Sequence, residues 1–377
     1  MQETLLNDLH SNIQLPTCLK TITYLRRLEC FSEIELKFKF LNARDKWLQN
    51  VLKDIPYTTP LVHLSKLIEV YRINLFDIAT QYKAVFPPDD NLTATTIKNN
   101  TTFIRHPSNN RDFTDTTILS SWLLHKKNVF LEALKNGLLT CALSDQFYPY
   151  DSIVDPCFYF GLSMSRIGVD IRPDLVKIFN DVTCQRLAMT LRSATDKLES
   201  SLEKFNFDSV AHSKDESLIE DDLSPPTLLL DFTPLANYNN DVVNSLNEIR
   251  SVASNSIAYK LRNELDSNIL RASDIIRMVF ESRKRQDESQ VNEMNRFCDH
   301  FLNIFVPYIQ RCIRFLFPVL QISKFLGISS LEANQLESIE KMSFTTLTIE
   351  NEARENLASF LPEPVLEATS PEELIEE

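Results

Sequence analysis

Glycine is nearly missing from this chain: 377 residues hold four, at Gly137, Gly161, Gly168 and Gly327. Rossmann folds, phosphate-cradling loops and hairpin-rich sheets all need glycine at fixed places, where the backbone takes positive φ or comes close to a ligand. Those architectures are disfavoured, whereas long helices stopped by proline are not. No uninterrupted apolar run reaches the roughly 18 residues of a membrane span, so no transmembrane helix is expected. The opening MQETLLNDLHSN has neither the basic nor the apolar region of a signal peptide. Seven cysteines, odd in number and without a CxxC pair, are expected to be reduced and mostly buried.

Basic charge is also scarce. Lys and Arg number 39 against 52 Asp and Glu, a net charge of −13. A nucleic-acid partner is excluded on that ground, since it needs clustered cations, and direct attachment to an anionic membrane is disfavoured. Arg26-Arg27 and Arg283-Lys284-Arg285 are short enough to be solvated helix faces. The six histidines show no metal-binding spacing, and there is no GxSxG, P-loop or GxGxxG. No catalytic, cofactor-binding or metal-binding residues are expected.

What remains is helical periodicity. Ser32 and Glu35 form a capping-box pattern ahead of an apolar run. Ile34, Phe38, Leu41, Leu48, Leu52 and Ile55 predict one helix face, widened by Phe40, Trp47 and Val51. Leu61, Leu64, Ile68, Tyr71, Leu75, Ile78, Tyr82 and Val85 then run in threes and fours as a heptad seam, predicting an antiparallel partner for the first helix. Helix resumes near Asp115, and Gly137 is a place for a close crossing. A long amphipathic helix follows Pro173. Val242, Leu246, Ile249 and Ala253 predict a face of the next helix, and Leu261, Leu265, Ile269, Ala272, Ile276 and Val279 continue the pattern. Pro307 is expected to kink or break the helix that contains it, and Gly327 is a natural C-cap. Strand signals are almost absent. The expectation is an all-α chain with one helical region, 1–345, interrupted by mobile loops at 87–113 and 208–226, and an acidic, disordered tail at 346–377.

The stretch Tyr159–Arg172, YFGLSMSRIGVDIR, holds two of the four glycines seven residues apart. On one helix Gly161 and Gly168 would share a face and admit a neighbouring backbone. Arg166, Asp170 and Arg172 surround the second glycine. These five residues are the candidate helix-crossing or interaction site, with Arg166 expected to be buried and paired with a carboxylate, Asp170 being one choice. One pattern approaches chemistry: Asn240-Asp241-x-x-Asn244-x-x-x-Glu248 resembles the magnesium-binding motif of helical terpene cyclases, with Asn244 where that motif wants Ser or Thr. Its aspartate-rich partner motif is missing, so this enzyme reading is very weak. An unrelated helical adaptor is the other alternative.

Five stretches, in order, resemble subunit 8 of the conserved oligomeric Golgi complex, a vesicle-tethering assembly. They are Cys30–Leu48, Leu75–Tyr82, Phe160–Arg172, Pro225–Ala236 and Val306–Pro318. The resemblance implies an elongated rod of stacked helical bundles, the cullin-repeat-like architecture of multisubunit tethers. It implies a non-enzymatic subunit in retrograde intra-Golgi transport and Golgi maintenance, peripheral on the cytosolic face of the Golgi membrane. Its implied partners are the other subunits of that complex, which hold it at the membrane, and the vesicle-fusion machinery. The family usually has a substantial helical region before the first matching stretch, so this chain is expected to be a fragment, a short isoform or a truncated gene model. The polar loop 87–113 also looks longer than the family pattern.

Overall fold

Helices supply all the regular structure among the described residues, and no strand occurs among them. The computed structural model describes residues 2–87, 111–142, 151–207, 210, 223–250, 253–283, 288–337 and 347–361. Most of the two expected loops, and all of 362–377, lie outside the described residues. Two compact units form, Met1–Val182 and Thr183–Glu377.

In the first unit the helices are α1 (Gln2–Asp8), α2 (Leu15–Arg27), α3 (Glu33–Lys53), α4 (Pro60–Val85), α5 (Arg111–Ala142), α6 (Asp151–Arg166) and the first residues of α7 (Arg172–Lys204). Helix α5 therefore begins a turn earlier than expected. The Ser32 capping box is present in both directions: its side chain accepts from the Glu35 N–H, and its own N–H donates to Glu35 at 2.9 Å. Helix α4 packs against α2, α3, α5 and α6. The heptad seam is its buried face, with Leu64, Ile68, Leu75 and Ile78 all at most 1% exposed. Each such side chain contributes about 1.5–3 kcal/mol by leaving water.

The face of α3 is partly as expected: Leu41 and Leu48 are buried, with Phe40 and Trp47 widening the stripe, whereas Ile34 and Phe38 are 50% and 57% exposed. Leu36, Ala43 and Arg44 join the core, Arg44 as a buried cation. Arg44 donates to the carbonyls of Leu9 and Ser11, at 3.2 and 2.6 Å, and its guanidinium lies 4.1 Å over the Trp47 ring. It thereby closes the backbone of the α1–α2 connection onto α3.

The second unit holds the rest of α7, a 3₁₀ turn Thr227–Asp231, α8 (Thr233–Ile249), α9 (Ala258–Arg283), α10 (Glu288–His300), α11 (Val306–Leu316), α12 (Val319–Leu326), α13 (Ser330–Glu337) and α14 (Glu350–Asn356). The expected stripe on α9 is buried from Leu261 to Ile276, with Val279 partly so. Phe207, Phe232, Phe280, Phe297 and Phe360 meet at its core, with Phe232–Phe297 centroids 5.1 Å apart and Phe280–Phe360 5.6 Å. Pro307 does not break the chain's course. A π-helical turn, Phe301–Phe305, joins α10 to α11, and the proline stands in the first turn after it. Proline cannot donate to the carbonyl four residues back, and a wide turn just upstream accommodates that loss within one helical path. Gly327 caps α12 in the left-handed region at φ 70°, as expected.

Part of the segment expected as a tail is described. Residues 347–361 are not a disordered acidic segment: Leu347, Ile349, Ala353, Leu357 and Phe360 pack into the core of the second unit. A buried polar cluster fastens them. Arg262 Nη1 donates to Asp266 Oδ2 at 2.8 Å and to Thr348 Oγ1 at 2.9 Å, while the Thr348 N–H and hydroxyl both donate to Asp266, at 3.2 and 2.9 Å. Burial lifts the Asp266 carboxyl above its ordinary value, against the pull of Thr348 and Arg262. Asp266→Ala strands the Arg262 charge inside the protein and is expected to cost about 3–5 kcal/mol of unfolding free energy in urea titrations. The folded state takes up the Asp266 proton before the unfolded chain does, so this group adds stability as pH falls from the folded value to the ordinary carboxylate value. Relative to Asp266→Asn, the parent protein is expected to gain stability over that acid interval, and a flat difference across it would contradict the linkage.

Candidate functional site

The stretch Tyr159–Arg172 folds as the end of α6, a tight turn and the start of α7. Phe160 anchors it: its ring lies 5.0 Å from Phe130 of α5, which in turn lies 5.1 Å from Tyr71 of α4. The two glycines do not share a helix face. Gly161 lies within α6, and a Cβ there would sit 2.7 Å from Arg172 Cγ and 3.4 Å from Ile171 Cγ1. The neighbours are side chains at the start of α7, whereas the expectation was of a neighbouring backbone. Gly168 lies beyond the helix at φ 96°, with open space where a Cβ would stand. Its N–H donates to the Ser165 carbonyl and that of Val169 to the Met164 carbonyl, both at 3.1 Å. The two bonds form a Schellman motif, in which the residue after the cap takes the left-handed conformation. Gly168 is thus required by backbone conformation and not by a neighbour. Gly137 makes the other close crossing, its absent Cβ position lying 2.6 Å from Leu64 Cδ1 of α4.

Arg166 is exposed, contrary to the expected buried pair, and no carboxylate pairs with it among the described residues. Asp170 is taken by Arg172, whose Nε and Nη2 donate to it at 2.9 and 2.7 Å, with the Arg172 backbone N–H adding a third bond at 3.0 Å. The side-chain bonds from Arg172, then the backbone one, hold the Asp170 carboxyl down to about 2. Asp170 therefore serves the N-terminus of α7, where peptide N–H groups lack helical partners. Lys83 of α4 donates to the Ile167 carbonyl at 3.1 Å and ties the turn to the central helix.

Beside this turn lies a cleft of about 710 Å³. Lys37 of α3, Lys83 and Phe86 at the end of α4, Leu119, Leu123, Leu124 and Lys127 of α5, and Ile167–Asp170 line it. The lining is apolar with a cationic share, and it contains no nucleophile–base pair.

Elsewhere the candidate chemistry is absorbed by packing. Asp241 pairs with Lys197, and Glu248 with Arg186, each at 3.1 Å. The acids of the cyclase-like pattern thus neutralise cations of α7. No cluster of His, Cys, Asp and Glu able to hold a metal ion occurs among the described residues. All seven cysteines are free, and burial pushes the thiols of Cys18 and Cys157 up to about 11 and about 12, which keeps them protonated near neutral pH.

The glycine roles predict different responses. Gly161→Leu is expected to force α6 and α7 apart at a cost of about 1–3 kcal/mol. Gly161→Ala displaces only the Arg172 stem and gains helix propensity, so it is expected to change stability by less than about 1 kcal/mol. Gly168→Ala is expected to cost about 1–2 kcal/mol despite the open space, through left-handed strain alone, and Gly168→Asn less. Arg166→Ala is expected to cost under about 1 kcal/mol. Urea denaturation of the five variants checks the order, and a neutral Gly168→Ala would remove the conformational requirement.

Comparison with known proteins agrees with this non-chemical picture. The Dor1-like family model matches residues 1–196. The chain is 32% identical over 376 residues to conserved oligomeric Golgi complex subunit 8 of Bos taurus, covering 97% of this chain and 57% of that protein. The Homo sapiens protein of the same name is 31% identical, with 96% and 57% covered. That of Drosophila melanogaster is 34% identical, with 88% and 57% covered. The chain thus spans a little over half the length of these relatives. No solved structure matches it. With its family model covering more than half of its residues, the chain belongs to the Dor1-like family, that of conserved oligomeric Golgi complex subunit 8.

Proposed function

We propose that this chain is a non-enzymatic subunit of the oligomeric Golgi tethering complex, acting in retrograde intra-Golgi vesicle transport and Golgi maintenance. The similarity along 97% of its length to subunit 8 of Bos taurus carries the reading. Burial of the Cys18, Cys141, Cys157 and Cys298 thiols and the pairing of Asp241 and Glu248 with cations of α7 agree with a scaffold. Its partners are then the other subunits of the complex and, through them, the vesicle-fusion machinery. Its place is peripheral on the cytosolic face of the Golgi membrane. None of the helices is long and apolar enough to cross a membrane among the described residues. The helical region 1–345 forms an elongated rod of stacked bundles in this proposal, as the family resemblance implies.

A tagged version, expressed in cells depleted of their own subunit 8, is expected to co-purify the remaining subunits of the complex. It is expected to sediment with Golgi membranes and to leave them in alkaline carbonate. Small-angle scattering of the isolated chain is expected to give a radius of gyration well above the roughly 21 Å of a compact chain of this length. Recovery without any tethering subunit would overturn the assignment, and a value near the compact one would overturn the rod.

A further inference from the structure

We propose that the cleft beside the α6–α7 turn docks an amphipathic helix of another polypeptide subunit, apolar on one face and acidic along its flanks. The occupant rests on the subunit assignment above; the site rests on the cleft's own chemistry. Phe86, Leu119, Leu123 and Ile167 give it an apolar lining, and Leu124 in the same lining is 53% exposed. Along α5 the lining runs from Leu119 to Lys127, about 12 Å at 1.5 Å per residue. That length takes two turns of a docked helix, whose apolar residues recur every three or four positions.

Charge selects the flanks. Three lysines and one aspartate line the cleft of a chain whose net charge is −13. Asp170 is already held by Arg172, and Lys127 by Asp174 at 2.6 Å. The hydrogen bond Lys83 makes is to a neutral carbonyl, and no carboxylate among the described residues pairs with its ammonium. Exposed Arg166 precedes Ile167 by one residue and adds a second cation with no described carboxylate. Acidic side chains on a docking helix meet these cations and steer its approach. An anionic bilayer is a poorer match, because it faces the acidic surface as a whole, whereas a helix meets the cleft alone.

A photo-crosslinking amino acid, p-benzoyl-phenylalanine, placed at Leu124 of the full chain in cells tests the site. The expected crosslinked peptide belongs to another subunit and carries apolar residues at i, i+4 and i+8 flanked by Asp or Glu. The same probe at Leu331, exposed in the second unit, is expected not to capture it. A synthetic copy of that peptide is expected to bind the purified chain about tenfold more weakly after Lys83→Glu and after Leu124→Asp, and within about twofold after Lys83→Arg, each variant being folded by circular dichroism at the assay temperature. Crosslinking to residues 88–110 of the same chain, to lipid or to nothing, while other subunits still co-purify, overturns the docking site and leaves the subunit assignment standing. So does peptide binding indifferent to Lys83→Glu. Loss of all co-purifying subunits from the unsubstituted chain overturns the assignment, and the proposed occupant with it.

Discussion

The burial of α4 sets the terms for the whole first unit. Its seam from Leu64 to Val85 is buried while Lys66, Glu69, Asp77 and Lys83 stay in water, so neighbours must cover the apolar face. Helices α2, α3, α5 and α6 do so. Each consequence is local and physical. A Cβ at position 137 would stand 2.6 Å from Leu64 Cδ1, so glycine there lets α5 pack on α4 without displacing that side chain. Gln81, buried on the same helix, donates to the Ile13 carbonyl at 3.2 Å, which places the α1–α2 connection against α4. The rings of Tyr71, Phe130 and Phe160 carry the contact outward to α6. At the end of α4, Lys83 holds the Ile167 carbonyl, so the α6–α7 turn takes its position from the same helix.

Buried polar groups do for the second unit what α4 does for the first. The Tyr238 hydroxyl donates to Asn268 Oδ1 at 2.6 Å, and the Asn268 amide donates to the Leu191 carbonyl and Thr195 Oγ1. One side chain thus binds α7, α8 and α9 together inside the core. A net hydrogen bond contributes only about 1 kcal/mol, but an orphaned buried donor or acceptor costs about 1–3 kcal/mol. Such groups therefore disfavour misaligned packings more than they favour the native one. The Arg262–Asp266–Thr348 cluster applies the same penalty to the segment 347–361.

Where apolar spacing alone decided burial, the sequence was readable. The seams of α4 and α9, the Ser32 capping box and the Gly327 cap all follow from residue type and spacing. The readings that miss do so for specific reasons. In α3, Lys37 and Arg44 are buried while Ile34 and Phe38 face solvent, so a count of apolar residues places Leu41 and Leu48 inside but draws the edge of the face in the wrong place. Gly168 falls two helical turns after Gly161, a spacing equally consistent with one continuous helix and with a helix that ends between them. Only φ distinguishes the two. The expected Arg166–Asp170 pair at i+4 assumed that same continuous helix; once the helix ends, Arg172 is the cation within reach. In 347–361, the acidic residues of ENEAREN hide Leu347, Ile349, Ala353, Leu357 and Phe360, whose spacings of two, four, four and three were the available signal.

The cationic cleft was invisible for a different reason. Its lysines come from three helices, so no basic run marks it, and the net charge of −13 points the other way. At physiological salt, exposed charges are screened over about 8 Å. A docking helix therefore feels the few side chains within that distance more than it feels the total. Lys37, Lys83 and Lys127 face it together only because α3 and α5 both pack on α4 and the α6–α7 turn closes beside them. The packing that buries α4 is thus also what brings cations from three helices to one cleft, where Lys83 stands beside an apolar lining in a protein of net negative charge.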